Sequence, residues 1–270
     1  MQFCKYQALG NDMIVIDPAD FDLLLTPARI RLICDRHVGI GADGICYGPL
    51  PEPGYPLTMR FFNPDGSEAE KSGNGLRIFA RYVGDRGYEI RPEFMIGIGN
   101  EGIPVMVLDD EAQQLTIGMG RLSFAFVEEE MRFGEQVMRA TAVSIGNPHC
   151  VIFTDELRAI HHLGPIIENA PQFPNRTNVQ LARLLDERTV VIEIWERGAG
   201  YTLASGSSAS AVAGAAIKTG RCISPVRIEM AGGTALVEVD ADWQVMLTGA
   251  VAAVYNGTFA PDFLAELRRV

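Results

Sequence analysis

The strongest constraint on the fold is that the chain repeats itself. Phe61-Phe62-Asn63, followed nine residues after the asparagine by Ser72-Gly73, returns 133 residues later as Ile194-Trp195-Glu196 and Ser205-Gly206 at the same spacing. Earlier in each half, Leu9-Gly10-Asn11-Asp12 matches Ile145-Gly146-Asn147-Pro148 at an offset of 136. Self-similarity at a nearly fixed offset means one supersecondary unit used twice. A length of 270 residues accommodates two domains of ordinary size. The expected division is residues 1–122, joined by a returning segment 258–270, and residues 123–257.

Local patterns place both halves in a mixed α/β (α+β) class. Met13-Ile14-Val15-Ile16, Val105-Met106-Val107-Leu108, Val190-Val191-Ile192-Glu193-Ile194 and Val237-Glu238-Val239 read as strands bounded by Gly, Pro, Asp and Asn. Asp109-Asp110-Glu111 and Asp240-Ala241-Asp242 read as hairpin turns. Thr26-Pro27 is an N-cap with proline at the first helical position. Helices are expected at 27–36, 74–83, 155–162, 207–218 and 261–269. Strands far outnumber helices, so each half should wrap a mostly antiparallel sheet around one central helix.

Composition narrows the partners. A net charge of −11 argues against a phosphate-backbone partner, which demands basic stripes. No apolar run approaches the ~18 residues of a spanning helix, and the start shows no secretory pattern. The five cysteines are odd in number and form no C-x-x-C pair, which disfavours a disulfide framework or a thiolate zinc site. The expectation is a cytoplasmic protein acting on a small molecule, with no cofactor, metal, nucleic acid or membrane partner. A homodimer stays among the assemblies open to it.

In each half a glycine-rich turn runs straight into an apolar helix: Ser72-Gly73-Asn74-Gly75 and Ser205-Gly206-Ser207-Ser208. A helix N-terminus carries unpaired N–H groups and a partial positive charge, and glycine lets a ligand approach the backbone. Two such ends, one per half, suit a carboxylate or phosphate in a cleft between the halves. The plainer reading makes Ser72 and Ser205 ordinary N-caps.

These motifs carry a resemblance. Gly10-Asn11-Asp12, Arg36-His37-Val38-Gly39-Ile40-Gly41-Ala42-Asp43, Phe62-Asn63-Pro64-Asp65-Gly66-Ser67, Gly73-Asn74-Gly75, Gly146-Asn147-Pro148-His149, Asn175-Arg176-Thr177-Asn178 and Glu196-Arg197-Gly198-Ala199-Gly200 resemble, in order and spacing, the diaminopimelate epimerase family over nearly the whole chain. The resemblance implies cofactor-independent inversion of an amino-acid Cα, LL- to meso-diaminopimelate or a close relative, in lysine and peptidoglycan synthesis. It implies that Asn63, Asn178, Glu196 and Arg197, helped by Asn11 and Asn147, grip the distal end of the substrate. Gly73, Asn74, Gly206 and Ser207 would hold the carboxylate at the reacting end.

The departure lies at the chemistry. Where the family has a cysteine before each helix start, this chain has Ser72 and Ser205, and Tyr201 stands where the family commonly has glutamate. A serine acts as a base only when a neighbour takes its proton. By resemblance those neighbours are His149 for Ser72 and Glu196 for Ser205, with Lys71 a further contributor or a plain solvated lysine. His149 also fits a buried structural role. His161 and His162, in a charged helix followed by Gly164-Pro165, read as surface or helix C-terminal capping residues, and Cys4 and Cys150 as small core residues. Two other functions compete. One is an isomerase similar to those of phenazine pathways, moving a proton on an unsaturated substrate through Glu196, His149 or Asp43. The other is a catalytically silent amino-acid binder or a cysteine-to-serine variant.

Overall fold

The computed structural model describes residues 1–52, 54–69, 72–109 and 113–270. The chain divides into two compact units, residues 1–117 with 250–270 and residues 118–249. These limits differ from the expected 1–122 and 258–270, and the reason is a strand. Ala252–Thr258 pairs antiparallel with Gln2–Ala8, so it belongs to the first unit and not to the C-terminal half.

The first unit contains β1 (Gln2–Ala8), β2 (Asn11–Ile16), α1 (Pro27–Cys34), β3 (Gly44–Glu52), β4 (Tyr55–Phe62), β5 (Glu68–Ala69), α2 (Gly73–Asp85), β6 (Glu93–Ile98), β7 (Glu101–Val107) and the first half of β8 (Gln114–Arg121). Pairing is antiparallel for β1–β2, β3–β4, β4–β5, β6–β7 and β7–β8, and parallel for β2–β3 and β4–β6. The second unit contains β9 (Ser123–Phe133), β10 (Gln136–Ser144), β11 (Pro148–Phe153), α3 (Ile160–Glu168), β12 (Asn178–Asp186), β13 (Thr189–Glu196), β14 (Gly200–Thr202), α4 (Gly206–Lys218), β15 (Val226–Met230), β16 (Gly233–Val239) and β17 (Gln244–Ala250). It pairs β10–β11, β12–β13, β13–β14, β15–β16 and β16–β17 antiparallel, with β11–β12 and β13–β15 parallel. Strand for strand this is the same topology. The outer strand that β9 lends to β10 is lent to β1 by β18 (Ala252–Thr258). α5 (Pro261–Leu267) closes the chain.

Each unit is organised by one helix buried nearly all round, as a helix inside a curved sheet must be. α2 packs on β1, β2 and β3, and α4 on β10 to β13, β15 and β16. α4 is dominated by Ala and Gly because the sheet approaches closely: a Cβ on Gly214 would lie 2.4 Å from Leu122 Cδ1. Phe3, Phe21, Phe259 and Phe263 form an aromatic cluster beside α1, with Phe3 and Phe259 centroids 5.0 Å apart.

Thr26 caps α1 as its sequence predicts, accepting from Arg29 N at 3.2 Å. The turn at 240–242 joins β16 and β17; its counterpart at 109–111 lies partly outside the described residues. The helix predicted over 155–162 is instead a short 3-10 turn, Leu157–Ala159, followed by α3 running through Gly164-Pro165 to Glu168. Gly164 is no helix terminator: a Cβ there would fall 2.6 Å from Trp195 Cγ, so glycine serves close packing in mid-helix. His161 and His162 are exposed on this helix, His161 lying 4.6 Å from the Tyr201 ring.

Candidate active site

In the first unit the duplicated turn starts α2. Ser72 is its N-cap, extended at φ −134°, ψ 116°, and accepts from Gly75 N at 3.1 Å. A chain of side chains runs away from this end. Arg77 Nη2 donates to Asn74 Oδ1 at 2.6 Å, Asn74 Nδ2 to Asn11 Oδ1 at 3.4 Å, and Asn11 Nδ2 to Asp43 Oδ2 at 3.0 Å. Three separate sequence motifs therefore meet. Asp43 also accepts from Asp12 N and from Arg36, so it holds backbone and guanidinium in place. Asp12 pairs with Lys5 at 2.5 Å and Arg36 at 2.6 Å. Burial works to raise the Asp12 carboxyl, but hydrogen bonds from Arg36 and Lys5 outweigh it and hold the group well below the usual carboxylate range. Asn63 stands apart in the β4–β5 turn, where its Nδ2 donates to Ser67 Oγ at 3.0 Å. Lys71 lies outside the described residues.

In the second unit Ser205 starts α4, and its side chain does not cap the helix. Its Oγ lies 3.4 Å from Glu196 Oε2, to which it donates, and 3.4 Å from Ser207 Oγ. The β13–β14 hairpin brings Glu196 there. Asn178 fixes the surrounding backbone, donating from Nδ2 to Pro148 O at 2.8 Å and accepting from Arg197 N at 3.0 Å. Arg197 Nη1 donates to Asn175 O at 3.2 Å, and the residue stays exposed.

His149 is 1% exposed. Its Nε2 donates to Asn147 Oδ1 at 3.0 Å, and its Nδ1 accepts from Gln180 Nε2 at 3.1 Å. Burial pushes the imidazole down to about 3, with the Gln180 hydrogen bond opposing it only in part. It is a neutral ring with both nitrogens engaged, one by Asn147 and the other by Gln180. Gln180 in turn donates to Ser208 Oγ at 2.9 Å. His149 also forms part of the wall of a cavity of about 290 Å³ lined by Phe124, Phe126, Val143, Ser144 and Phe173.

One residue of consequence escapes the sequence reading. Glu168, at the last turn of α3, accepts from Trp195 Nε1 at 2.7 Å, Gly198 N at 2.8 Å and the Arg176 guanidinium. It thereby ties α3 to both sides of the Glu196-Arg197 pair. Nothing local marks it, because a glutamate in a helix normally reads as solvated.

All five cysteines are free and buried, and none lies at either helix start. Among the described residues no group of three His, Cys, Asp or Glu is placed to hold a metal, and no helix is long and apolar enough to cross a membrane.

A sequence profile described as Diaminopimelate epimerase matches residues 3–125 and 141–254. This chain belongs to the diaminopimelate epimerase family. Its similarity to "Diaminopimelate epimerase 2" of Nostoc sp. strain PCC 7120 is 44% identity over 98% of both chains. With the diaminopimelate epimerase of Synechococcus sp. strain JA-3-3Ab it is 35% identical over 96% of this chain and 98% of the relative. Among solved structures, a Bacillus anthracis phenazine biosynthesis protein of the PhzF family superposes with a TM-score of 0.74 at 16% identity, covering 96% of this chain and 99% of that one. A hydroxyproline epimerase from Agrobacterium vitis gives 0.73 at 14% identity, covering 97% and 92%. These two share the fold. Membership of the diaminopimelate epimerase family makes the chain an epimerase-like isomerase by kinship.

Proposed function

We propose that this protein inverts an amino-acid Cα without a cofactor, with LL-diaminopimelate or a close relative as substrate and the meso form as product. The observation that carries the reading is the Ser205–Glu196 contact of 3.4 Å at the N-terminus of α4. A serine oxygen that is not spent on capping, with a carboxylate at its hydroxyl, is an arrangement for taking a proton. The Cα proton passes to Glu196 directly or through Ser205 Oγ. Ser72 accepts a bond from Gly75 N at the start of α2, which leaves its O–H as the proton donor of this reading. The alkoxide left behind would sit at the positive end of α2. Arg197 and the asparagines supply fork-like and donor–acceptor contacts for the distal ammonium and carboxylate.

A hydroxyl is several pKa units weaker as an acid than a thiol, and each unit is about 1.4 kcal/mol. Turnover is therefore expected to be slow. That supports a second reading, an amino-acid binder without turnover, which the capping role of Ser72 and the neutral, fully engaged His149 favour. Incubation with diaminopimelate in D2O separates the two. Loss of the Cα–H NMR signal with appearance of the other stereoisomer is the expected result. Tight binding with no exchange over days would leave only the binder.

A further inference from the structure

α2 and α4 begin alike but differ one turn in. The fifth residue of each helix donates to the carbonyl of the first: Arg77 Nη1 to Gly73 O at 3.3 Å, and Ser210 Oγ to Gly206 O at 2.8 Å. Arg77 is fully buried, its Nε has no partner, and among the described residues no carboxylate pairs with it. A buried charge is ordinarily matched by an opposite one, because leaving it unmatched costs several kcal/mol. Burial lowers the Arg77 guanidinium only to about 10, so it remains a cation at neutral pH.

A long side chain on a helix leans back toward the N-terminus. Arg77 thus adds a whole positive charge behind the roughly half charge of the helix end. It also fixes Asn74. With Oδ1 turned to Arg77, the amide presents Nδ2 toward Asn11. The start of α2 is built from donors over a buried cation. In α4 the position of Arg77 is taken by Ser210, and the Glu196 carboxylate stands at the serine that starts the helix.

We propose that Arg77 is a positioning residue that charges the N-terminus of α2, making position 72 the acidic, anion-stabilising member of the pair and leaving position 205, beside Glu196, the basic one. Only the view of positions 72 and 205 as reacting positions is borrowed from the proposed function, and the test needs no substrate.

The experiment is a thiol titration on the full chain carrying Ser72→Cys, followed by thiolate absorbance. The native thiols are quiet, since burial pushes Cys34 up to about 12 and raises Cys4, Cys46, Cys150 and Cys222 as well. A new transition near neutral pH therefore belongs to the introduced thiol. At an effective dielectric near 20, a unit charge about a helical turn away shifts such a group by on the order of one to two pKa units. Adding Arg77→Met should raise the thiol by that amount, cutting thiolate about tenfold or more at a fixed pH. A purely structural role would lower the melting temperature and leave the thiol alone, so an unmoved transition in a folded double variant overturns the proposal. Should Arg77→Met fail to fold, Ser72→Cys and Ser205→Cys are compared directly. The thiol at 205 should titrate about one unit or more above that at 72, and an equal or lower value overturns the proposal. Titrations as expected without exchange of diaminopimelate would leave Arg77 in its role and count against the proposed turnover alone.

Discussion

Replacing Glu168 by glutamine should loosen the Glu196-Arg197 turn while keeping the side chain's size. The carboxylate is 5% exposed and receives the Trp195 indole, the Gly198 amide and the Arg176 guanidinium. Glutamine removes the charge and turns one oxygen into an NH2 that must face a donor. Hydrogen bonds to a charged group are worth about 1.5–3 kcal/mol each, and neutral ones about half that. Losing one and weakening two, less about 0.5 kcal/mol regained by taking a negative charge from a helix C-terminus, comes to roughly 3 kcal/mol. Arg176 is half-exposed, so its share is the smallest of the three. Urea melts followed by Trp fluorescence measure the loss. Calorimetry with diaminopimelate should show weakened binding, because Trp195 and Gly198 flank the residues that would grip it. The pH dependence gives an internal check. Burial works to raise the Glu168 carboxyl, but bonds from Trp195, Gly198 and Arg176 outweigh it and keep it below 4.5. A depressed folded value means the contribution is present above about 4.5 and is lost as pH falls through the folded value. The gap between Glu168→Gln and the parent should shrink in acid. Melts agreeing within about 0.5 kcal/mol at neutral pH would refute the assignment of Glu168 as the anchor.

Ser72→Cys combined with Ser205→Cys should markedly raise epimerase activity on diaminopimelate, each single change giving little inversion; a folded double variant that binds but neither exchanges nor inverts would mean the substrate is not presented to these positions. Arg197→Ala should cost about 1.5–3 kcal/mol of diaminopimelate binding by calorimetry, and a loss within error would place the distal grip elsewhere. Gly164→Ala brings a Cβ to 2.6 Å from a Trp195 ring pinned by Glu168, so despite alanine's better helix propensity it should destabilise by about 1–2 kcal/mol in thermal melts. The ring protons of His149, held neutral down to about 3, should not shift in NMR spectra between pH 8 and 5, and a mid-range titration would contradict its burial.

The duplication was legible because it is written in short-range chemistry. Ser-Gly followed by an apolar run marks a helix start wherever it occurs, and both helices begin within one residue of where those signals put them. The Ser205–Glu196 neighbourhood was legible through resemblance. Gly164-Pro165 misled, since the pair signals a helix end locally while the packing of Trp195, some thirty residues on, is what requires the glycine. The place of β18 was hidden for a similar reason. Its partner β1 lies at the other end of the chain, and strand pairing at that distance leaves no local mark. Glu168, Gln180 and Arg77 look like a helix-end carboxylate, a strand amide and a surface arginine until the burial around them is known.

That pairing of β18 with β1 sets an order on the birth of the molecule. Residues 118–249 form one contiguous stretch, whereas the first unit is assembled from both ends of the chain. The edge of β1 must wait for roughly 240 further residues, on the order of ten to fifty seconds at ribosomal speed. Throughout that interval a row of unpaired backbone groups stands open to any other strand. The final segment, with Phe259 closing over Phe3 and Phe21, is therefore less a tail than the last step of assembly.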